Sequence, residues 1–303
     1  MLLLDTASLY FRAFFGVPDS LKAPDGTPVN AVRGLLDFIA RLTADYEPTH
    51  LVCCWDNSWR PSWRVDLLPS YKAHRVVREE GGVDVEETPE GLTRQIPIIA
   101  EVLASAGIAV VGVEDYEADD VIGTLTAKAP GPVNIATGDR DLFQLVDDEA
   151  NVRVLYTARG VSKHEVITGE VVTGKYGIGP HQYVDFAILR GDPSDGLPGV
   201  KGIGDKTAAT LLSRFGDLEG IIAAAGDPNS SLSKGQRANI ASAADYLAAA
   251  PQVVRVARDL PVGKDLDALR RPAGFADPAR VTELAERWGL GGSVERLGRA
   301  LAP

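Results

Sequence analysis

Cysteine is almost absent from this chain of 303 residues: there are two, and Cys53 and Cys54 are neighbours inside the apolar run Leu51-Val52-Cys53-Cys54-Trp55. Adjacent residues of a strand are poorly placed to pair with each other, so both thiols read as buried core and the chain as the product of a reduced compartment. Histidine is scarce too. His50, His74, His164 and His181 form no ligand spacing, which leaves nothing to build a zinc site from. No segment approaches ~20 uncharged apolar residues, and the N-terminal run Met1-Leu2-Leu3-Leu4 is stopped by Asp5 without a basic flank, so neither a membrane span nor a secretory leader is expected. The expected location is cytoplasmic. Neither a P-loop nor a Gly-x-Gly-x-x-Gly fingerprint is present, which argues against ATP and NAD. Internal repeats, heptad arrays and low-complexity segments are missing as well.

What the chain has in quantity is core and negative charge. With 45% hydrophobic residues it can bury an ample interior, as one large domain or two ordinary ones. A formal charge of −11 argues at first against a polyanionic partner, yet that sum counts clustered carboxylates that bound cations would neutralise.

The clustering follows from strand ends. Val133-Asn134-Ile135-Ala136 reads as a buried strand, and Thr137-Gly138-Asp139-Arg140-Asp141 lies just beyond it. Asp5 ends the first apolar run, Asp56 ends the second, Glu117-Ala118-Asp119-Asp120 opens a helix after the run Ile108 to Val113, and Asp192 and Asp195 follow later. In an open parallel sheet the carboxyl edge of the strands is where ligands bind. Carboxylates brought to one rim repel each other unless cations are bound, so the pattern implies divalent metal.

Strands and helices alternate from residue 1 to about 160: strand to Asp5, helix Ser8 to Phe15, a Pro/Gly loop over 17–28, helix Ala31 to Asp45, strand to Asp56, helix Thr88 to Ala106, strand Ile108 to Val113, helix Ala118 to Lys128, the strand leading to Asp139, and strand Val152 to Tyr156. This is a parallel α/β pattern. After about Ser162 it gives way to helices and Gly/Pro turns without clear parallel strands, so a change of architecture is expected near 160–180.

Two segments stand outside the alternation. Residues 57–91 interleave Arg60, Trp63, Arg64, Tyr71, Lys72, His74, Arg75 and Arg78 beside a rim aspartate; the segment covers or gates the rim, or it is a solvated loop, and the mix of basic and aromatic residues suits nucleic acid. Further on, Leu197-Pro198-Gly199-Val200-Lys201-Gly202-Ile203-Gly204-Asp205-Lys206 places turn-permitting glycines before the amide-rich start of a helix. Such a hairpin can grip phosphate without reading bases, the alternative being a plain connection between helices.

Taken in order, Leu3-Leu4-Asp5 with Arg12, the segment Arg64 to Arg75, Tyr116 to Asp120, Thr137 to Asp141 and Gly191 to Ala208 resemble the flap endonuclease or 5′-nuclease family, in its stand-alone bacterial form, which is similar to the 5′-3′ exonuclease domain at the front of DNA polymerase I. The resemblance spans nearly the full length. It implies a PIN-like α/β nuclease core over 1–177 with a central, mostly parallel sheet flanked by helices, a helical arch over 57–91, and a helical DNA-binding region over 178–303 with a helix-three turn-helix element at about 185–212. It further implies a phosphodiester hydrolase acting on 5′ flaps and on nicked or gapped duplexes, RNA–DNA primers among them, in replication and repair, as a monomer without nucleotide cofactor. Asp5, Asp56, Glu117, Asp119, Asp120, Asp139, Asp141, Asp192 and Asp195 match the family's acidic positions. Two or more Mg²⁺ or Mn²⁺ ions suit such a shell, two metals ~3.5–4 Å apart acting on one phosphate, and a K⁺ ion in the hairpin is part of the family pattern. Lys72 and Arg75 match its catalytic basic pair, expected on one helix face. Arg12 is expected at a phosphate or on the surface, Tyr71 at a base or in the core, and Gly199, Lys201, Gly202, Gly204 and Lys206 against the duplex.

The chain also departs from the family. Gly196 stands where Asn usually follows Ser-Asp, Pro193 where Ser or Glu is common, and Arg33 where tyrosine is common. With no polymerase region after Pro303, coupling to synthesis is expected in trans. A haloacid-dehalogenase phosphatase would carry a second Asp two residues after Asp5, where Ala7 stands. A PIN-like ribonuclease would lack the Pro-Gly hairpin, and a non-catalytic binder of DNA structures would not need the whole acidic set.

Overall fold

The computed structural model describes residues 1–80 and 83–303, and side chains outside 78–83. Its first half contains β1 (Leu2–Asp5), α1 (Thr6–Gly16), α2 (Asn30–Tyr46), β2 (Leu51–Cys54), α3 (Ser62–Leu67), β3 (Val76–Glu80), β4 (Val83–Glu86), α4 (Glu90–Thr93), α5 (Ile96–Ala106), β5 (Ala109–Val111), α6 (Ala118–Lys128), β6 (Val133–Thr137), β7 (Val152–Tyr156) and β8 (Glu165–Ile167). Six strands form one sheet in the order β5-β2-β1-β6-β7-β8. All neighbours run parallel except β7 and β8. The antiparallel β8 escaped the sequence reading because Glu165-Val166-Ile167 is too short to show a pattern.

Every residue of β1 and β2 is buried, as expected where helices cover both faces. Alternation divides them cleanly: Leu3, Val52 and Cys54 face one core, while Leu2, Leu4, Leu51 and Cys53 face the other. The two cysteines are therefore free and on opposite sides of the sheet. From β1 the chain moves to β2 on one side and later to β6 on the other, so the crevice beyond β1 and β6 is the switch point at which doubly wound sheets hold ligands. Asp5 and Thr137 end those two strands.

The helix expected over 88–106 is two helices. The break falls just ahead of Pro97, which has no amide to bond back to Thr93, and the Gln95 side chain at the break serves another element: Oε1 accepts hydrogen bonds from the Ala31 and Val32 amides at 2.8 and 3.2 Å, and Nε2 donates to Asn30 Oδ1 and the Gly91 carbonyl at 3.0 Å each. α2 has no side-chain cap of its own, so a residue 64 positions away satisfies its first amides.

The segment 57–91, expected as a helical arch, is helical only in α3 and in one 3-10 turn, Ala73–Arg75; its far part is the antiparallel hairpin β3/β4. Val76, Val77, Val83 and Val85 interspersed with charged residues favour pleated backbone over helix. Trp59 Nε1 donates to the Asp84 carbonyl at 3.1 Å and Arg60 pairs with the Asp84 carboxylate, fastening the hairpin to the core. Gly81, Gly82 and the side chain of Arg78 lie outside the described residues.

The second half comprises α7 (Gly169–Tyr176), α8 (Tyr183–Arg190), α9 (Asp205–Phe215), α10 (Leu218–Gly226), α11 (Lys234–Ser242), α12 (Ala244–Val254), α13 (Pro278–Trp288) and α14 (Gly291–Leu301). α7 to α12 pack with α6 on one face of the sheet, around Phe186, Leu211 and Leu247. α13 and α14 do not continue that layer. They return to the opposite face, where Leu284, Leu297 and Leu301 join Leu35, Leu36 and Ile39 of α2, and Arg296 grips Asp37 through two 2.9 Å contacts. The helical region drawn from 178 to 303 thus includes two helices that complete the α/β core. Among the described residues no helix is long and apolar enough to cross a membrane.

Replacing Gln95 by leucine keeps the volume but leaves two buried amides and the Asn30 Oδ1 without their partner, while Asn30 Nδ2 keeps the Phe14 and Val17 carbonyls. The expected loss in urea unfolding is about 2–4 kcal/mol, with Tm lower by ~5–10 °C. A loss under about 0.5 kcal/mol would show that water replaces the cap.

Candidate active site

A relay of short hydrogen bonds builds the rim. Asp5 caps α1 by accepting from the Ser8 amide at 3.1 Å, and its other oxygen accepts from the Thr137 hydroxyl at 2.6 Å, tying the end of β1 to the end of β6. Thr137 Oγ1 in turn accepts from the Asp139 amide at 2.9 Å, and Asp139 Oδ1 accepts from the Asp141 amide at 2.9 Å. Asp56, just past β2, accepts from the Ala118 amide at 2.7 Å and so holds the start of α6. Asp5, Asp56, Glu117, Asp119, Asp139 and Asp192 all line a cleft of about 1960 Å³. Asp139 is the exposed member.

Negative charge is crowded here. Burial, then Asp56, pushes the Asp5 carboxyl up to about 7 against the hydrogen bonds from Thr137 and Ser8. Burial and the nearby Asp5, Asp139 and Glu117 hold Asp119 well above the usual carboxylate range, and burial with Asp139, Asp195 and Asp192 does the same to Asp141. Two overlapping groups result, Asp5, Asp56, Asp119 and Asp139 in one, Asp139, Asp141, Asp192 and Asp195 in the other, with Asp139 common to both. Among the described residues no side chain or amide donates to the Asp119 carboxylate. As the side chains stand, no three His, Cys, Asp or Glu residues among those described converge on a point that could hold an ion. The donor chemistry nevertheless fits a hard divalent cation, all oxygen and mutually repelling.

Asp120 is different. It is 0% exposed, and it accepts two hydrogen bonds from Arg64 (2.7 and 2.8 Å), one from the Ala257 amide (2.9 Å) and one from the Glu117 amide (3.2 Å). Its acceptor capacity is spent on structure, and it is removed from the expected ligand set. Glu117 shares that side of the helix start: one oxygen accepts from Arg64 at 2.8 Å and from the Tyr71 hydroxyl at 2.6 Å, and the other pairs with Lys72. Tyr71 is 5% exposed, so of its two readings the buried one matches its place, and its ring does not face a base. The role of Arg64 has a sequence signal, since a carboxylate cluster opening a helix needs a counter-charge and Arg64 is the one cation of α3.

Lys72 and Arg75 do not share a helix face. Lys72 takes a left-handed backbone, φ 49°, just before the 3-10 turn that contains Arg75. Burial alone would lower the Lys72 ammonium, but Glu117, Tyr71 and Asp195 outweigh it and hold it well above the ordinary lysine range. Arg75 donates to the Ser194 carbonyl at 2.6 Å and to Asp195 Oδ1 at 3.2 Å. Both cations line the cleft, as does Arg12, which donates to the Ala158 carbonyl at 3.0 Å. Asp192 is shared between Arg190 at 3.0 Å and Arg140 at 3.6 Å.

Beyond α8 the hairpin divides by role. Gly199 has φ 67°, and a methyl group on it would lie 2.6 Å from the Arg190 carbonyl oxygen; its glycine is needed for close packing against Gly191, not for offering an amide. Lys201, Gly202, Gly204 and Lys206 are exposed, and among the described residues the Gly202 and Gly204 amides have no protein acceptor.

A parallel α/β sheet with a carboxylate rim at its switch point, joined to a helical module with an exposed Gly-Lys hairpin, is the architecture of a metal-dependent nuclease. Family models described as "5'-3' exonuclease, N-terminal resolvase-like domain" and "5'-3' exonuclease, C-terminal SAM fold" match residues 1–177 and 178–275. A protein of Streptomyces coelicolor named 5′-3′ exonuclease is 61% identical over 297 residues, 98% of each chain, and one of the same name from Mycobacterium tuberculosis is 50% identical over 99% of this chain and 97% of its own. The T5 5′-exonuclease with divalent metal ions (zinc) bound superposes with a TM-score of 0.65 over 99% of this chain and 97% of that one at 16% identity, which is likeness of fold. The chain belongs to the 5′-3′ exonuclease family.

Raised carboxyl pKa values carry a sign. A carboxyl with a raised value in the fold keeps its proton to higher pH there than in the unfolded chain, so its contribution is fully present below about pH 4 and is lost as pH rises through the folded value, about 7 for Asp5. In chelator, Tm is expected to fall between pH 5 and 8, and Asp141→Asn is expected to raise Tm at pH 8 by about 2–4 °C. A Tm that climbs with pH across this window would overturn the description of a mutually repelling rim.

Proposed function

We propose that the protein is a structure-specific 5′ nuclease, acting as flap endonuclease and 5′-3′ exonuclease on DNA phosphodiesters, in the removal of primers and flaps during replication and repair. The carrying observation is the rim itself: Asp5, Asp56, Asp119 and Asp139 crowd a cleft that Lys72 and Arg75 also line. The acidic groups around Asp5 and around Asp141, Asp139 belonging to both, would hold two Mg²⁺ or Mn²⁺ ions. When bound, the ions supply an activated water and positive charge at the scissile phosphate. Asp5 is kept in place by Thr137 and Ser8, and Asp56 by the start of α6, so the ligand positions are set before substrate arrives. Lys72 exchanges its partner Glu117 for a phosphate oxygen, and Arg75 adds a second donor, both offsetting the charge that grows on the phosphate. Arg12 holds a neighbouring phosphate in the cleft.

The segment from α8 to α9 grips the unbroken duplex through the Gly202 and Gly204 amides and the charges of Lys201 and Lys206, without reading bases. K⁺ at this hairpin belongs to the same reading and would act on duplex affinity alone.

The direct test incubates the protein with a 5′-labelled flap duplex and a nicked duplex, with and without Mg²⁺ or Mn²⁺, and maps the products. Cleavage requiring a divalent ion is expected; no cleavage of either substrate in any divalent ion would sink the proposal. Asp139→Asn and Asp141→Asn are each expected to abolish cutting while circular dichroism shows an intact fold, and full activity in either would remove it from the ligand set. Alanine at Lys72 or Arg75 should slow single-turnover cleavage ~30- to 1,000-fold, equivalent to about 2–4 kcal/mol of transition-state stabilisation; rates within a few-fold of the parent would assign these cations elsewhere. Lys206→Ala should weaken flap and nicked duplexes by a similar factor and reduce the salt slope by about one phosphate contact. Loss confined to one base sequence would contradict the duplex grip.

A further inference from the structure

Gly196 is the residue at which the hairpin module touches the base of the 57–91 segment. Its φ is 72°, in the left-handed region, and a methyl group built on it overlaps the Ser70 carbonyl oxygen, with the carbonyl carbon at 2.9 Å and the Lys72 amide nitrogen at 3.2 Å. Those atoms are backbone, so no rotamer change relieves the overlap. On the adjoining side the Lys72 amide donates to the Asp195 carbonyl at 3.0 Å, and Arg75 donates to the Ser194 carbonyl at 2.6 Å. Two chain segments 120 positions apart thus lie directly on one another, backbone to backbone.

Lys72 needs such support. A left-handed backbone is unfavourable for a residue with a long side chain and persists only where its neighbours impose it. Here they impose it from both directions: the Asp195 carbonyl takes its amide, and its own carbonyl accepts from the Arg75 amide at 3.0 Å. In that conformation the ammonium reaches Glu117 in the rim and stands 3.4 Å from the Trp59 carbonyl. The turn that does this is rigidly continuous with the hairpin, since the Asp192 amide donates to the Leu197 carbonyl at 3.1 Å, the Leu197 amide returns the bond at 2.9 Å, and Gly191 packs on Gly199.

We infer that Gly196 is a positioning residue for Lys72: its missing side chain lets the turn 192–197 press on Ser70–Lys72 and aim the Lys72 ammonium into the carboxylate rim. Asparagine tolerates the left-handed backbone but not the overlap, so in this chain it would displace the Lys72 segment. The consequence for catalysis rests on the proposed role of Lys72 at the phosphate; the placement of Lys72 does not.

The test uses Gly196→Ala and Gly196→Asn in the full chain, checked for folding by circular dichroism and melting. Pulse acetylation with N-hydroxysuccinimidyl acetate, read by mass spectrometry, is expected to modify Lys72 about tenfold faster than in the parent, with exposed Lys201 and Lys206 unchanged as internal controls. Single-turnover cleavage of a nicked duplex in Mg²⁺ is expected to slow about tenfold, while the duplex Kd in chelator stays within about twofold, the split that separates positioning from binding. Unchanged Lys72 acetylation, or a Kd that rises as much as the rate falls, would overturn the inference, whereas faster acetylation with an unchanged cleavage rate would uphold the placement and refute the role of Lys72 at the phosphate. Should neither variant fold, amide hydrogen exchange in the parent decides: Lys72 is expected to exchange about a hundredfold slower than an unstructured peptide, and exchange at the unstructured rate would overturn the contact. A parent that cuts no DNA refutes the nuclease reading instead, and leaves acetylation to judge the placement of Lys72.

Discussion

A single buried guanidinium decides how negative charge is shared at the start of α6. Arg64, 2% exposed, satisfies Asp120 with two contacts, takes one oxygen of Glu117, and spends its Nε on the Val253 carbonyl at 2.9 Å. Removing one partner of such a buried arrangement costs about 3–5 kcal/mol, because the survivor stays charged and unpaired. With Asp120 neutralised in this way, Asp119 is left facing the cleft without a cation of its own, which is the condition a metal-binding carboxylate requires. Carboxylates spent on an internal ion pair and a carboxylate left to the cleft stand side by side in one turn of helix, distinguished by whether Arg64 reaches them.

The same guanidinium joins the halves of the chain. Its contact at Val253 lies at the end of α12, where Gln144 also accepts from the Val256 amide and donates to the Val254 carbonyl. The passage from the helical module back toward the sheet is therefore threaded between α3 and α6, and the wall of the cleft that carries Tyr71 and Lys72 is anchored to both.

How much of this could be read beforehand follows the range of the interactions. Asp5, Asp56 and Asp139 were legible because each directly follows an apolar strand, a local signal, and the limits of α6 and β7 were legible from periodicity within one segment. The hairpin β3/β4 was hidden by resemblance to a helical arch, although its valines favoured strand. The capping of α2 by Gln95, the duty of Arg64 and the return of α14 onto α2 depend on partners 64, 189 and 259 positions away; no window of sequence contains both sides. Gly196 was visible as a departure, but whether glycine was tolerated or required depended on the Ser70 carbonyl, which only the folded chain brings there.

The return of α13 and α14 has a consequence for synthesis of the protein. The stripe of α2 that carries Leu35, Leu36 and Ile39 is made early, yet part of its cover is supplied by Leu297 and Leu301. Loop closure over so long a stretch is slow and must precede its reward. A ribosome that has completed β1 to β7 therefore holds a sheet already covered on this side by α1, α2 and α5, but an α2 whose apolar stripe is still partly bare, and it stays so until α14 emerges from the tunnel.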